Sequence, residues 1–168
     1  MEKNKRKSII SLSDIFMVII VIAVVMGLRT YVIAPAKVNG HSMDPTLETG
    51  EVLIMNKWSD IKKNDIVTFI SPTDNKTIFI KRVIALEGDT VEMKKDVLYI
   101  NGKEIEEPYL KEHRRSLDEG ELLTENFGPV EVGKDQFFAM GDNRLNSLDS
   151  RTFGPIDKER LEGKVLWK

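Results

Sequence analysis

Residues 76–86 read KTIFIKRVIAL, a long run rich in residues that favour β-strands. Side chains alternate between the two faces of a strand, so Phe79, Lys81 and Val83 are expected on one face and Arg82 on the other. A lysine between two apolar neighbours on its own face would lose part of its hydration. The run therefore predicts a β-strand in which Lys81 shares a face with apolar side chains.

Further short apolar runs, separated by turn signals, extend from about residue 38 onward. Asn101-Gly102 lies between apolar flanks and predicts a β-hairpin, because both residues accept the positive φ of a tight turn. No long amphipathic helical repeat follows residue 36. These features predict a mainly β fold, an antiparallel sheet or barrel-like domain, with further strands within 51–57, 65–70, 96–105, 136–140 and 164–167.

One segment in the middle of the chain is more polar than its surroundings. Residues 106–130 carry many charges and are interpreted as a surface excursion or small cap, inserted at about 91–130 between two halves of the sheet structure. Within it, KEHRR at 111–115 is interpreted as a solvated loop face. Contact with anionic phospholipid is the alternative, because lysine and arginine near a membrane attract acidic headgroups.

The N-terminal segment differs in composition from the rest of the chain. Four basic residues within positions 3–7 precede an uncharged apolar run at 15–28. As a helix this run would reach only about 21 Å, so it needs its flanks to cross a hydrocarbon core of about 30 Å. Two interpretations stay open, a membrane span or a cleaved signal peptide that ends at Ala34-Pro35-Ala36. Both place the start of the chain in the cytoplasm and the remainder outside, because the basic residues precede the apolar run.

The composition excludes several classes of function. Without any cysteine, the chain has no disulfide, zinc–thiolate or thiol chemistry. A net charge of −2 with intermixed signs gives no basis for nucleic-acid binding, which needs a clustered basic face. A length of 168 residues suits one domain with room for a subdomain.

Residues 40–47, GHSMDPTL, place Ser42 just beyond the apolar run, as either a turn residue or a nucleophile. A nucleophilic serine needs a base to take its proton. The chain has two histidines: His41 would leave an extended segment on the opposite face, and His113 lies in the charged excursion. The residues around Ser42 match neither the G-x-S-x-G elbow nor the S-x-x-K spacing. A histidine triad is therefore disfavoured.

A lysine can serve as the base if its pKa is lowered by burial. An ordinary lysine, with a pKa near 10.4, is neutral only about one time in 10³ at neutral pH, and full burial can shift the pKa by about three units. Lys81 fits this requirement. A strand lysine can equally reach solvent from a sheet edge, so the segment alone leaves both interpretations open.

Three motifs together carry a family resemblance. SMDPTL at 42–47, KRVIALEGD at 81–89 and GDNRLNSLDSRTFGP at 141–155 occur in the order found in type I signal peptidases. The chain resembles this family over nearly its whole length, and its single-span layout is similar to the Gram-positive bacterial branch. The resemblance implies a serine endopeptidase that removes signal peptides from exported preproteins, without a metal or other cofactor.

The resemblance also implies roles for single residues. Ser42 would be the nucleophile and Lys81 the general base, while Ser147 would hydrogen-bond the lysine and orient it. Gly40 stands where some family members have a serine whose hydroxyl helps to form the oxyanion hole. The Ser42 backbone N–H would remain as one donor, and the Gly40 backbone N–H is a candidate for the second.

Supporting roles follow from the last motif. By resemblance, Asp149 together with Arg151 would help to hold the site, and Asp142 would pair with Arg82. The plain alternative is a turn-rich loop in which Asp and Asn side chains bond their own backbone. Leu145 stands where the family often has an aspartate, and no loss of function is inferred from that difference.

A peptidase that cuts preproteins at the outer face of the membrane should stay anchored there. The resemblance therefore favours a cytoplasmic N-terminus at 1–11, a transmembrane anchor at 12–34 and an extracytoplasmic peptidase domain at 35–168, in a single-pass protein of the cell membrane. Its implied partners are exported preproteins, membrane lipid and the secretion machinery.

Two other functions stay open from the sequence. One is a self-cleaving, repressor-type peptidase with the same serine–lysine chemistry, although the apolar N-terminal run and the lack of a DNA-binding segment count against it. The other is a non-catalytic, membrane-tethered β-domain that only binds partners.

Overall fold

The computed structural model describes residues 11–167, and the side chains of these residues except 28–33 and 167. The helices in this range are α1 Leu12–Val32, α2 Lys111–Arg115 and α3 Ser150–Phe153. The strands in chain order are β1 Ile33–Lys37, β2 Val52–Asn56, β3 Ile66–Ile70, β4 Ile78–Leu86, β5 Thr90–Lys94, β6 Val97–Ile100, β7 Lys103–Ile105, β8 Phe127–Glu131, β9 Gln136–Met140, β10 Ile156–Asp157 and β11 Leu161–Trp167.

The strands form two antiparallel sheets. The larger sheet has seven strands in the order β1-β2-β11-β3-β4-β9-β10, and the smaller has four in the order β7-β6-β5-β8. The last strand, β11, pairs with both β2 and β3 and so closes the centre of the larger sheet. The prediction of a mainly β, antiparallel fold is confirmed.

The smaller sheet is built from the segment that was interpreted as a cap. Its strands β5 to β8 span residues 90–131, and α2, which contains KEHRR, lies between β7 and β8. The predicted hairpin at Asn101-Gly102 joins β6 to β7, and both residues have positive φ, 53° and 74°. That geometry explains why an asparagine and a glycine occupy the turn.

The core consists of three apolar clusters. The first fills the space between the two sheets, the second packs on the central strands of the larger sheet, and the third lies beneath the segment that carries Ser42. Their main members are Ile84, Met93, Leu98 and Phe138 in the first, Val67, Phe69, Val83 and Phe137 in the second, and Val38, Met43, Leu47 and Leu53 in the third.

Helix α1 begins at a local cap, where the Ser11 backbone N–H donates to the Asp14 carboxylate at 2.9 Å. Its apolar side chains, from Leu12 to Met26, are exposed all round the helix. A membrane span was predicted at 12–34. Within the part of the chain that the structure describes, no helix is both long and apolar enough to cross a membrane. The predicted cytoplasmic segment lies, up to residue 10, outside the described residues.

Candidate active site

The segment that carries Ser42 is fixed by apolar anchors and by the loop that follows β9. Met43 and Leu47 are almost fully buried in the third cluster. The backbone N–H of Asn143 donates to the Ser42 carbonyl at 3.0 Å, and the Asn143 side-chain amide donates to the His41 carbonyl at 3.0 Å. The Ser42 backbone is therefore fixed by the buried side chains of Met43 and Leu47 and by the hydrogen bonds from Asn143.

Lys81 reaches this serine from β4. Its Nζ lies 2.6 Å from Ser42 Oγ, within a hydrogen bond, and 5.1 Å from the centre of the Phe79 ring. The residue is only 3% exposed. Loss of hydration lowers the pKa of Lys81 from its ordinary value near 10.5 to about 8, with Asp149 and Asp142 opposing the shift and Arg151 adding to it. The ammonium can therefore lose its proton at mildly alkaline pH.

The strand that carries Lys81 has one open edge beside the serine. Residues 78–82 of β4 pair with β3 on one side, whereas β9 pairs only with 82–86 on the other. Among the described strands, none covers the outer edge of 78–81. Its backbone groups are free to pair with an extended peptide.

A cleft of about 480 Å³ runs along this edge to Ser42 and Lys81. Its walls are residues 35–43, which lead from β1 to the serine, and residues 77–81 of β4. Met55, Thr68 and Glu162 line it from the central strands of the sheet. The cleft is large enough for several residues of an extended chain.

Arg82, the next residue along β4, engages the loop that follows β9. Its Nε and one terminal nitrogen donate to the two oxygens of Asp142 at 2.9 and 2.6 Å, and the other terminal nitrogen donates to the Asn64 carbonyl at 3.0 Å. The Asp142 side chain is fully buried. The structure thus brings together the pair that the resemblance implied.

Asp149 organises the far end of the same loop. Its carboxylate accepts from Arg151 Nε at 2.8 Å, from the Arg151 backbone N–H at 3.2 Å, and from the Gly141 backbone N–H at 2.9 Å. Burial opposes ionisation of this carboxyl, but the hydrogen bonds and the charge of Arg151 outweigh it and lower the pKa of Asp149. Arg151 also donates to the Ser147 carbonyl at 3.3 Å, so the Asp149–Arg151 pair fixes both Gly141 and Ser147.

Ser147 lies against Gly141 rather than in a hydrogen bond to Lys81. Its hydroxyl oxygen is buried and makes no hydrogen bond of good geometry among the described residues, although it lies close enough to the Asp149 carboxylate to help lower the pKa of that group. A Cβ at Gly141 would overlap Ser147 Oγ and the Ser42 carbonyl oxygen, so this close approach requires glycine. The orienting role of Ser147 stays a prediction.

Gly40 lies two residues before the nucleophile with φ of 98°, a conformation that favours glycine. The Thr49 hydroxyl donates to its carbonyl at 2.7 Å. Neither imidazole forms a hydrogen bond with Ser42: His41 Nδ1 lies 2.9 Å from the Asp44 carboxylate, and His113 Nε2 donates to the Asp44 carbonyl at 2.7 Å. The described residues contain no group of acidic and histidine side chains that could hold a metal ion.

The sequence did not predict a cluster of buried polar side chains that joins the smaller sheet to the site. Its members are Arg82, Glu107, Tyr109 and Arg144. Glu107 pairs with Arg144 and accepts from the Tyr109 hydroxyl at 2.8 Å, while the Arg82 guanidinium stacks 4.1 Å from the Tyr109 ring centre. Arg144 Nε in turn donates to the Gly141 carbonyl at 3.0 Å. Glu107 and Arg144 are 37 positions apart, and no local pattern marks them as partners.

Comparison with known proteins identifies the family to which the chain belongs. The fold is that of a signal peptidase, a class of hydrolase. The chain belongs to the family described as signal peptidase, peptidase S26, whose pattern matches residues 10–168. The resemblance drawn from the three motifs is thereby confirmed.

Individual relatives agree with this assignment. The chain is 42% identical to signal peptidase I P of Bacillus subtilis subsp. natto, over 96% of this chain and 90% of that protein. It is 48% identical to signal peptidase I of Bacillus licheniformis, over 86% of this chain and 81% of that protein. The crystal structure of a signal peptidase I from Enterococcus faecalis V583 superposes with a TM-score of 0.60 at 37% identity, covering 64% of this chain and 97% of that one.

Proposed function

We propose that the chain is a membrane-bound serine endopeptidase that removes signal peptides from exported preproteins, with Ser42 as nucleophile and Lys81 as general base. The observation that carries the proposal is the 2.6 Å contact between Lys81 Nζ and Ser42 Oγ at the end of the cleft. Burial of Lys81 supports it, because the amine must be neutral to accept a proton.

The reaction has two stages. Ser42 Oγ attacks the carbonyl carbon of the scissile peptide while its proton passes to Lys81 Nζ, and the resulting ammonium donates a proton to the departing amine. The acyl-enzyme is then hydrolysed by a water molecule that gives its proton to the neutral Lys81 amine, and the Lys81 ammonium returns this proton to Ser42 Oγ as the bond between Oγ and the acyl carbon breaks. The backbone N–H of Ser42 is one donor for the developing oxyanion, and Gly40 is the candidate for the second.

The supporting residues act through the loop that follows β9. Asp142 with Arg82, and Asp149 with Arg151, hold this loop against the carbonyl of Ser42. Ser147, which packs on Gly141 in that loop, is proposed to orient the lysine when a preprotein fills the cleft.

The free edge of β4 supports an extended substrate. A preprotein segment that pairs with residues 78–81 would lie in the cleft with its scissile carbonyl beside Ser42. This mode of binding fixes the backbone of many different preproteins, while the cleft lining selects among their side chains.

Helix α1 is the proposed anchor, because it presents large apolar side chains on all sides and leads directly into β1. Membrane lipid and the secretion machinery are its proposed partners, with the N-terminus in the cytoplasm and the peptidase domain outside. Protease protection of the chain in sealed vesicles of known orientation tests this topology.

Cleavage of a purified preprotein by the full chain in lipid vesicles tests the activity. Wild-type protein should release the signal peptide, and Ser42→Ala and Lys81→Ala should not. A wild-type protein that binds the preprotein without cutting it would favour the non-catalytic alternative. Cleavage confined to the chain itself would favour the self-cleaving one.

A further inference from the structure

Tyr109 connects the smaller sheet to the loop that follows β9. It lies in a short 3₁₀ helix, Pro108–Leu110, that follows β7. This segment is anchored by its neighbours, since Leu110 is fully buried and Glu107 is only 2% exposed. The fold of the smaller sheet therefore determines where the Tyr109 side chain lies.

The hydroxyl of Tyr109 is fixed within the buried cluster. It donates to Glu107 at 2.8 Å and accepts from Arg144 at 3.5 Å. Loss of hydration, together with the charge of Glu107, raises the pKa of Tyr109 well above its ordinary value. The hydroxyl therefore keeps its proton and remains a donor to Glu107.

The ring of Tyr109 covers one face of the Arg82 guanidinium, with 4.1 Å between the guanidinium carbon and the ring centre. The edge of the same guanidinium is bonded to both oxygens of Asp142 and to the Asn64 carbonyl. Hydrogen bonds in the plane of the group leave its faces free, so a stacked ring is needed to fix its tilt. The ring also covers the ion pair of Arg82 with Asp142, whose side chain is fully buried.

Asp142 transmits the position of Arg82 to the nucleophile. The next residue along the chain, Asn143, donates from its backbone N–H to the Ser42 carbonyl at 3.0 Å and from its side chain to the His41 carbonyl at 3.0 Å. A tilt of the Arg82 guanidinium would move Asp142, and with it the donors that hold the Ser42 backbone.

The same ion pair affects the proposed base through its charges. Burial lowers the pKa of Lys81, and the charged groups that act on it are Asp149 and Asp142, which raise it, and Arg151, which lowers it. Arg82 compensates the charge of Asp142 at 2.6 Å. A looser pair would leave more of the Asp142 charge to stabilise the Lys81 ammonium.

We propose that Tyr109 is a positioning residue for the peptidase reaction, whose ring holds Arg82 and, through Asp142, the backbone of Ser42. The inference rests on the function proposed above. Tyr109 does not line the cleft, so it acts on the rate of the chemical step and not on the binding of the preprotein.

The test uses the full chain in vesicles and one preprotein, with kcat, KM and the pH dependence measured for each variant. Tyr109→Leu removes the ring and should lower kcat about tenfold, the size of a buried cation–π contact expressed in the transition state, while KM changes less than about twofold. The midpoint of kcat/KM against pH should move upward, because a Lys81 that holds its proton more tightly becomes the neutral amine only at higher pH. Tyr109→Phe keeps the ring and should retain both kcat and the midpoint.

Coupling to Arg82 separates positioning from packing. In an Arg82→Lys background, which lacks the planar guanidinium, Tyr109→Leu should add little further loss of kcat, because the two side chains act through one contact. Full additivity of the two losses would overturn the inference. The milder Tyr109→Met gives the same readings if Tyr109→Leu does not fold.

Tyr99→Leu is the matched control, because Tyr99 is a half-buried tyrosine of β6 in the same sheet and lies outside the cluster. It should lower stability to urea without changing kcat or the pH midpoint. Equal kcat losses in Tyr99→Leu and Tyr109→Leu, or wild-type kcat and midpoint in Tyr109→Leu, would overturn the inference while Ser42-dependent cleavage by the wild type keeps the proposed function. Loss of that cleavage in the wild type would overturn both.

Discussion

Lys81 and Arg82 are adjacent on β4, and each holds a different half of the site. Lys81 reaches Ser42, while Arg82 reaches Asp142 in the loop that follows β9. Because successive residues of a strand point to opposite faces, one strand can position the proposed base and brace the loop that supports the nucleophile. A shift of β4 by one residue would disrupt both contacts at once.

Ser42→Ala and Lys81→Ala should each abolish turnover, and the double variant should be no worse than either single one, because the two groups act as a unit. Single-turnover cleavage of a preprotein measures this. Lys81→Arg should fail as well, since a guanidinium does not release its proton near neutral pH. Substantial activity in Lys81→Arg would exclude lysine as the base. As controls, His41→Ala and His113→Ala should leave the chemical step largely intact.

The pH dependence of kcat/KM should report the lysine. Burial lowers the pKa of Lys81 to about 8, and the proposed general base acts as the neutral amine. Activity should therefore rise about tenfold per pH unit below that value and level off above it. A pH profile with a preprotein whose own groups do not titrate in this range measures the midpoint. A midpoint near pH 6.5 would instead indicate a histidine.

Ser147→Ala should slow cleavage and leave stability nearly unchanged. The buried hydroxyl makes no hydrogen bond of good geometry among the described residues, and the nearby Asp149 carboxylate keeps its bonds to Arg151 and Gly141, so its removal leaves no other polar group unsatisfied. Acylation and deacylation rates, with thermal unfolding alongside, separate the two effects. Gly141→Ala is the contrasting variant and should lose both activity and stability, because its Cβ would overlap Ser147 and the Ser42 carbonyl. Wild-type rates in Ser147→Ala would contradict the orienting role.

Glu107→Ala should destabilise the protein by about 3–5 kcal/mol, because it leaves the Arg144 charge buried without its partner. Urea unfolding measures the change. Adding Arg144→Met to Glu107→Ala should recover part of the loss, since no buried charge then remains unpaired. Equal additive losses from the two substitutions would show that the pair does not act as a unit.

Side-chain size in the preprotein should matter at alternate positions. The first and third residues before the cut would face the cleft lining, whereas the second would point away. Phenylalanine in place of alanine at the first or third position should suppress cleavage by steric exclusion, with much less effect at the second. Cleavage rates for one preprotein series measure this, and equal tolerance at all three positions would contradict the placement of the substrate.

The sequence predicts what depends on local pattern. The alternation in 76–86 and the turn at Asn101-Gly102 are determined by neighbouring residues, and both the mainly β fold and the hairpin follow from them. Part of the structure of the 141–151 loop could also be predicted from the sequence. Asp149 accepts a hydrogen bond from the nearby Arg151 backbone, as an aspartate in a turn commonly does.

The sequence could not predict the buried cluster of Arg82, Glu107, Tyr109 and Arg144. These residues meet only after the smaller sheet has folded onto the larger one, and hydrophobic periodicity carries no information about which buried charges become partners. The contacts from Asn143 to the His41 and Ser42 carbonyls were missed for the same reason, because they join segments 101 and 102 positions apart.

The uncovered edge of β4 has a consequence for turnover. In the proposed binding mode, a peptide that pairs with residues 78–81 keeps those hydrogen bonds after its scissile bond is cut, because all of them lie on the same side of that bond. The released fragment is therefore a competitor for the same edge, and enzyme activity should decline as it accumulates. In a membrane, where a cleaved signal peptide stays concentrated in two dimensions, continued turnover depends on its removal.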